Sequence, residues 1–134
     1  MVLNYLLDTN ICIYIAKNKP PTVLDKFTKL KIGQVGMSLI TYGELLYGIQ
    51  KSNHKAQALL ILKQLISLIP PFHIPEKAAE NYALIRHQLA NQGTIIGNND
   101  LWIAAHCLAL DVTLVTNNIK EFNRVPNLNI VNWV

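Results

Sequence analysis

Acidic residues are scarce in this chain. Its 134 residues hold eight Asp and Glu against twelve Lys and Arg, for a net charge of +4. Cysteine is scarcer still: two, Cys12 and Cys107, at a spacing that suits neither a disulfide framework nor a metal site. Both fall within apolar helical patterns and read as small core residues. No apolar run approaches the roughly 20 residues that span a bilayer. The opening Met1-Val2-Leu3-Asn4-Tyr5 lacks a basic leader, a long apolar stretch and a small-residue cleavage site. These absences lead to the expectation of a cytoplasmic protein with no membrane partner. Linkers, internal repeats and low-complexity segments are absent too. With 51% hydrophobic and 15% charged residues, the expected organisation is one domain over residues 1–134. The four histidines (His54, His73, His87 and His106) form no H-x-x-x-H pair and read as structural or surface residues. The mild basic excess is compatible with a polyanionic partner.

What is present alternates between two hydrophobic periods. Tyr5 to Leu7, Val35 to Ser38, Phe72 to Ile74, Thr113 to Val115 and Ile130-Val131 read as short buried strands. Between them lie helical patterns at Thr9 to Lys17, Thr22 to Lys31 (closed by Gly33), Lys55 to Leu68, a helix opened by Pro75 at its first position, and Leu101 to Leu110. Thr41-Tyr42-Gly43-Glu44 before an apolar run reads as a capping box, with Glu44 in a first helical turn and a break near Gly48 and Ser52. Strands alternating with helices predict an α/β fold: three α/β/α layers around a parallel sheet of about five strands. Lys55 to Leu68 is apolar around much of its girth, which calls for two things to pack against: the core on one side, and a partner chain or more of the core on the other.

Because acids are few, their placement carries weight. Asp8 falls where the first strand meets the first helix, Glu44 just past the second strand, and Asp100 at the start of the Leu101 helix. Thr116-Asn117-Asn118, with Glu121 nearby, follows the fourth strand. Each has an ordinary reading: Asp8 as an N-cap, Glu44 as the return arm of the capping box, Asp100 as a first-turn acid beside a capping Asn98, Asn118 and Glu121 as loop residues. Those readings leave unexplained why half of the acids gather at the strand edge where open parallel sheets bind ligands. The rest (Asp25, Glu76, Glu80 and Asp111) read as solvated. Carboxylates brought close repel one another unless a cation joins them. A cluster of oxygen donors suits Mg²⁺ or Mn²⁺, and such an ion activates water against a phosphodiester without any nucleophilic side chain.

At these residues the sequence resembles the PIN-domain ribonucleases, specifically the VapC-type toxins of bacterial toxin–antitoxin pairs. The matching segments are Leu7-Asp8-Thr9-Asn10, Thr41 to Gly48, Gly97-Asn98-Asn99-Asp100 through His106, and Leu114 to Asn118 through Glu121-Phe122. The resemblance implies a metal-dependent endoribonuclease acting on single-stranded sites of structured RNA, such as tRNA or rRNA loops. It implies Asp8, Asp100 and Glu44 as metal-site residues and Thr9, Asn10 and Thr116 as residues that orient ligand or phosphate. Many PIN domains carry a fourth acid near position 118, where this chain has Asn118; either Glu121 supplies that carboxylate or the neutral amide acts through a water. The resemblance also implies a VapB-like antitoxin, a homodimer, a toxin–antitoxin hetero-oligomer, and DNA contact only through the antitoxin. Lys17, Lys19, Lys51, Lys55 and Arg86 are candidate phosphate contacts and equally ordinary surface charges.

Three other readings compete. A catalytically silent PIN-like module that holds RNA or a partner is motivated by Asn118. A phospho-receiver domain requires an acidic pair after the first strand and an Asp after the third; only Asp8 follows the first, and Pro75-Glu76 follow the third. Flap-type DNA nucleases share the chemistry but carry added DNA-binding elements that this short chain lacks.

Overall fold

The computed structural model describes residues 2–134. The order of elements is β1 (Tyr5–Leu7), α1 (Thr9–Ala16), α2 (Pro21–Thr28), β2 (Val35–Ser38), α3 (Leu39–Gln50), α4 (Lys55–Leu68), β3 (Pro71–Phe72), α5 (Glu76–Gln92), α6 (Asn98–Leu110), β4 (Thr113–Val115), α7 (Ile119–Phe122) and β5 (Ile130–Val131). The five strands form one sheet in the order β3-β2-β1-β4-β5, and each neighbouring pair is parallel.

Period-two alternation sorts the strand side chains between two cores. Leu6 and Leu114 face one, built with Ile85 and Leu89 of α5 and Leu101, Ile103 and Ala104 of α6. Their neighbours Leu7 and Val115 face the other, with Ile11 and Ile15 of α1 and Leu62 and Leu65 of α4. Helices therefore cover both faces, giving the three expected layers. Val35 and Met37 both face the second core. Gly36, between them, looks the other way, and a Cβ there would sit 2.4 Å from the Phe72 ring. The missing side chain lets β3 lie against β2.

Strand order explains where the acids meet. From β1 the chain builds outward through β2 and β3, then returns to the other side of β1 to lay down β4 and β5. The reversal opens a crevice at the carboxyl ends of β1 and β4, the usual ligand position in such sheets. Asp8 is the residue after β1 and Thr116 the residue after β4.

Several boundaries differ from expectation, each for a local reason. The capping box does not form. Helix α3 starts at Leu39, capped by Ser38, whose Oγ accepts from the Ile40 N–H at 3.2 Å. Thr41 is a buried residue of the first turn, and Glu44 lies in the second. Gly48 sits inside α3 rather than breaking it. The third strand begins one residue early, with Pro71 and Phe72 pairing to Met37 and Ser38. Pro75 is the N-cap of α5 rather than its first residue, and Gly97, not Asn98, caps α6. Helix α2 opens on Pro21 and ends at Thr28, so Gly33, at φ 100°, serves the turn into β2 and not a helix end. Cys12 and Cys107 are fully buried, as expected.

Candidate active site

Asp8 is the fixed point of the site. Its backbone N–H donates to Val115 O at 2.8 Å, tying the end of β1 to β4. Its Oδ1 accepts from the Thr9 N–H and its Oδ2 from Thr116 Oγ1, each at 2.7 Å. Only 6% of the residue is exposed. Burial pushes the Asp8 carboxyl above its ordinary pKa, the Thr116 and Thr9 hydrogen bonds pull it back, and the charge of Glu44 raises it further. Asp8 is thus both the cap of α1 and a carboxylate held rigid at the crevice.

Thr9 reaches the next acid: its Oγ1 donates to Glu44 Oε1 at 2.6 Å. Asn99 donates to Glu44 Oε2 across a long 3.5 Å. Helix α3 therefore turns Glu44 toward α1 and the start of α6, away from the capping role assigned from sequence. Asp100, in the first turn of α6, is half-buried. Burial first, then the negative charges of Asp8, Glu121 and Glu44, push its carboxyl up to about 7. Among the described residues, the charges that shift Asp100 are all acids.

On the β4 side, Thr116 Oγ1 also accepts from the Asn118 N–H at 3.0 Å. The Asn118 Nδ2 donates to Glu121 Oε2 at 3.0 Å. Asn118 and Glu121 are thus one unit, an amide holding a carboxylate that is felt at Asp100. Asn10 is exposed, and no side-chain hydrogen bond joins it to the cluster among the described residues. Asn99 escaped the sequence reading; its only signal there was its place beside Asp100.

The acids share one electrostatic neighbourhood without closing on a point. Among the described residues, no three His, Cys, Asp or Glu side chains come close enough together to hold a metal ion. The donor chemistry nonetheless fits a hard divalent cation. The groups are carboxylates, hydroxyls and carboxamides, with no sulfur or imidazole, and their mutual repulsion is relieved by positive charge.

A second feature lies away from the acids. A largely apolar cavity of about 200 Å³ is lined by Cys12, Ala16, Leu45, Ile49, Ile61 and Leu65, among others, from α1, α3 and α4. Beside it α4 leaves Leu60 and Ile61 exposed, at 59% and 39%.

The PIN domain family profile matches residues 5–128, nearly the whole chain and every element of the site. The chain belongs to the PIN-domain family. It is 42% identical to Ribonuclease VapC2 of Rickettsia felis over 130 residues, 96% of this chain and 97% of that one. It is 38% identical to the tRNA(fMet)-specific endonuclease VapC of Shigella flexneri over 132 residues, 98% of this chain and 99% of that one. In structure it resembles a chain of VapBC2 from Rickettsia felis, crystallised bound to a promoter DNA fragment, with a TM-score of 0.91, 40% identity and coverage of 98% of this chain and 100% of that one. PIN-domain ribonucleases depend on a divalent metal, consistent with the oxygen donors of this site.

Proposed function

We propose that this PIN domain is the toxin of a type II toxin–antitoxin pair, an endoribonuclease that hydrolyses phosphodiester bonds in structured cellular RNA. One observation carries the reading: Asp8, locked at the strand crevice by Thr116, shares its electrostatic neighbourhood with Glu44, Asp100 and Glu121, and among the described residues no basic group offsets the charge at Asp100. Asp8, Asp100 and Glu44 are the residues that would draw together around a divalent metal, Mg²⁺ first and Mn²⁺ as its substitute. Bound there, such a cation supplies Lewis-acid polarisation of a phosphodiester and acidifies water. The protein's part is to hold the ligands. Thr116 and the Thr9 N–H fix the two Asp8 oxygens, Thr9 Oγ1 fixes Glu44, and Asn118 fixes Glu121. With Asn118 keeping a carboxylate in place, its neutral side chain gives no ground for a silent module.

The substrate class is RNA with a single-stranded loop, in line with the tRNA(fMet) named for the Shigella flexneri relative. The partner is a VapB-like antitoxin, and the apolar cavity of α1, α3 and α4 suits an amphipathic segment of it. DNA is reached through that antitoxin, as the DNA-bound Rickettsia felis VapBC2 suggests. The described residues include no helix long and apolar enough to cross a membrane, and the cytoplasm is the proposed compartment. Mapping the 5′ ends of cellular RNA after brief induction tests the proposal and names the target. New ends at one or a few loop positions, absent when Asp100→Asn is induced, are expected. Identical end maps from wild type and variant contradict it.

A further inference from the structure

Arg86 stands apart from the other basic side chains. It lies on α5, which runs alongside α6, and it is exposed. Its Nη1 donates to the Tyr82 hydroxyl and, at 3.4 Å, to Asn98 Oδ1. Tyr82 in turn donates to Asn98 and stacks on Trp102, with ring centroids 4.0 Å apart and planes 11° from parallel. An exposed arginine is normally free to sample many rotamers. This one is braced by a stacked aromatic pair at the first residue of α6, two positions before Asp100. Nη1 is held by these two neighbouring acceptors, and among the described residues no hydrogen bond occupies Nε or Nη2. Those donors form the planar fork that matches a phosphate.

No carboxylate takes that fork. Among the described residues the ion pairs are Lys29 with Asp25 and Lys77 with Glu80. Nor is Arg86 paired with the acids of the site: among the described residues no ion pair joins it to Asp8, Glu44, Asp100 or Glu121. Two residues along a helix turn a side chain by roughly 200°, so Asn98 and Asp100 occupy opposite flanks of α6. Other cations have different surroundings: Lys51 lies over the Tyr47 ring, and Lys17 borders the apolar cavity.

We propose that Arg86, braced by Tyr82 and Asn98, is a substrate-binding residue that grips a backbone phosphate of the RNA strand flanking the bond to be cut. The inference rests on the ribonuclease reading above. A strand drawn across four acids is repelled by them, and a pre-set cation on the far flank of α6 fixes its register before the metal acts. The residue acts in binding, so its loss raises KM more than it lowers kcat.

The test uses the full-length, antitoxin-free protein and a labelled RNA stem-loop. Binding is measured in the Asp8→Asn background, with and without Arg86→Gln, across a salt series; cleavage is measured with Arg86→Gln and Arg86→Lys alone in Mg²⁺. Arg86→Gln is expected to weaken binding about tenfold at low salt, and to reduce the slope of log affinity against log salt by about 0.7, the value for one single-strand phosphate contact. KM is expected to rise by a similar factor with kcat nearly unchanged. Arg86→Lys keeps the charge but not the fork, so it restores the salt slope and only part of the affinity. Thermal melting of each variant monitors α5–α6 packing, and the salt slope is a readout that packing loss does not move. A wild type that cuts RNA, beside an Arg86→Gln protein with unchanged slope, affinity and KM, overturns the role of Arg86 alone. A wild type that neither binds nor cuts the stem-loop overturns the ribonuclease reading with it.

Discussion

Asp8 caps α1 and is the proposed first ligand of the metal, and one substitution separates the two roles. As a helix cap it needs only a hydrogen-bond acceptor, and Asn caps as well as Asp. As a metal ligand it needs charge. Asp8→Asn is therefore expected to fold with a melting temperature close to wild type while losing its tightest divalent-ion binding, measured by Mn²⁺ titration. Asp100 offers a pH signature. Its carboxyl titrates near 7 in the folded chain, against 3.8 ordinarily. Below about pH 4 it is protonated folded or unfolded; between about 4 and 7 the unfolded chain gives up the proton while the folded chain keeps it. Metal-free stability thus falls as pH rises through that window. Melting curves in EDTA should show a decline for wild type that is shallower in Asp100→Asn, and added Mg²⁺ should recover the wild-type loss near pH 7. A wild-type profile that coincides with the variant contradicts the electrostatic account of the cluster. The acids were legible in the sequence because they are few and follow recognisable strand ends. Their hydrogen-bond partners were only partly legible: Thr9 and Thr116 lie in the same motifs, but Asn99 reaches Glu44 from 55 residues away.

At the scale of elements, the informative error is the start of α3. Ser38 and Thr41 are both hydroxyl residues able to cap a helix, three positions apart, and local sequence does not choose between them. A residue far along the chain does. His106, fully buried on α6, places Nδ1 2.9 Å from Ser38 Oγ. Ser38 Oγ thus serves two partners at once, the Ile40 N–H and the His106 ring nitrogen. Burial holds the imidazole below its ordinary pKa and hence neutral. The tie joins the helix that carries Glu44 to the helix that carries Asp100. Ser38→Ala removes the cap, at about 1 kcal/mol, and leaves a buried ring nitrogen unpaired, at about 1–3 kcal/mol. A loss of about 2–4 kcal/mol in urea unfolding with an unchanged m-value is expected; a loss below about 0.5 kcal/mol would show that the tie contributes little. Gly36 is the other element-scale lesson. From sequence it is simply one residue of a short buried strand. In the fold it admits Phe72, and Gly36→Val is expected to cost about 1–3 kcal/mol through overpacking.

For the whole molecule, periodicity sufficed for the layers but not for the strand order. The order β3-β2-β1-β4-β5 is set by pairings between segments far apart in sequence, such as Leu6 with Leu114. No local pattern encodes such a pairing, although it is what brings Asp8 to Thr116. The apolar excess of α4 was visible as composition, and the fold shows its division. Leu62 and Leu65 enter the core while Leu60 and Ile61 remain at the surface beside the cavity. If that surface receives the antitoxin, Ile61→Glu should leave the fold and RNA cleavage intact while abolishing inhibition by the cognate antitoxin in a titration of activity. Inhibition at wild-type stoichiometry would place the antitoxin elsewhere. The most direct test of the account is cleavage of RNA by the purified, antitoxin-free chain. Wild type in Mg²⁺ should cut, EDTA should stop it, and Asp8→Asn and Asp100→Asn should each fold and be slower by at least about a hundredfold. Cleavage that persists equally in both variants and in EDTA would contradict it.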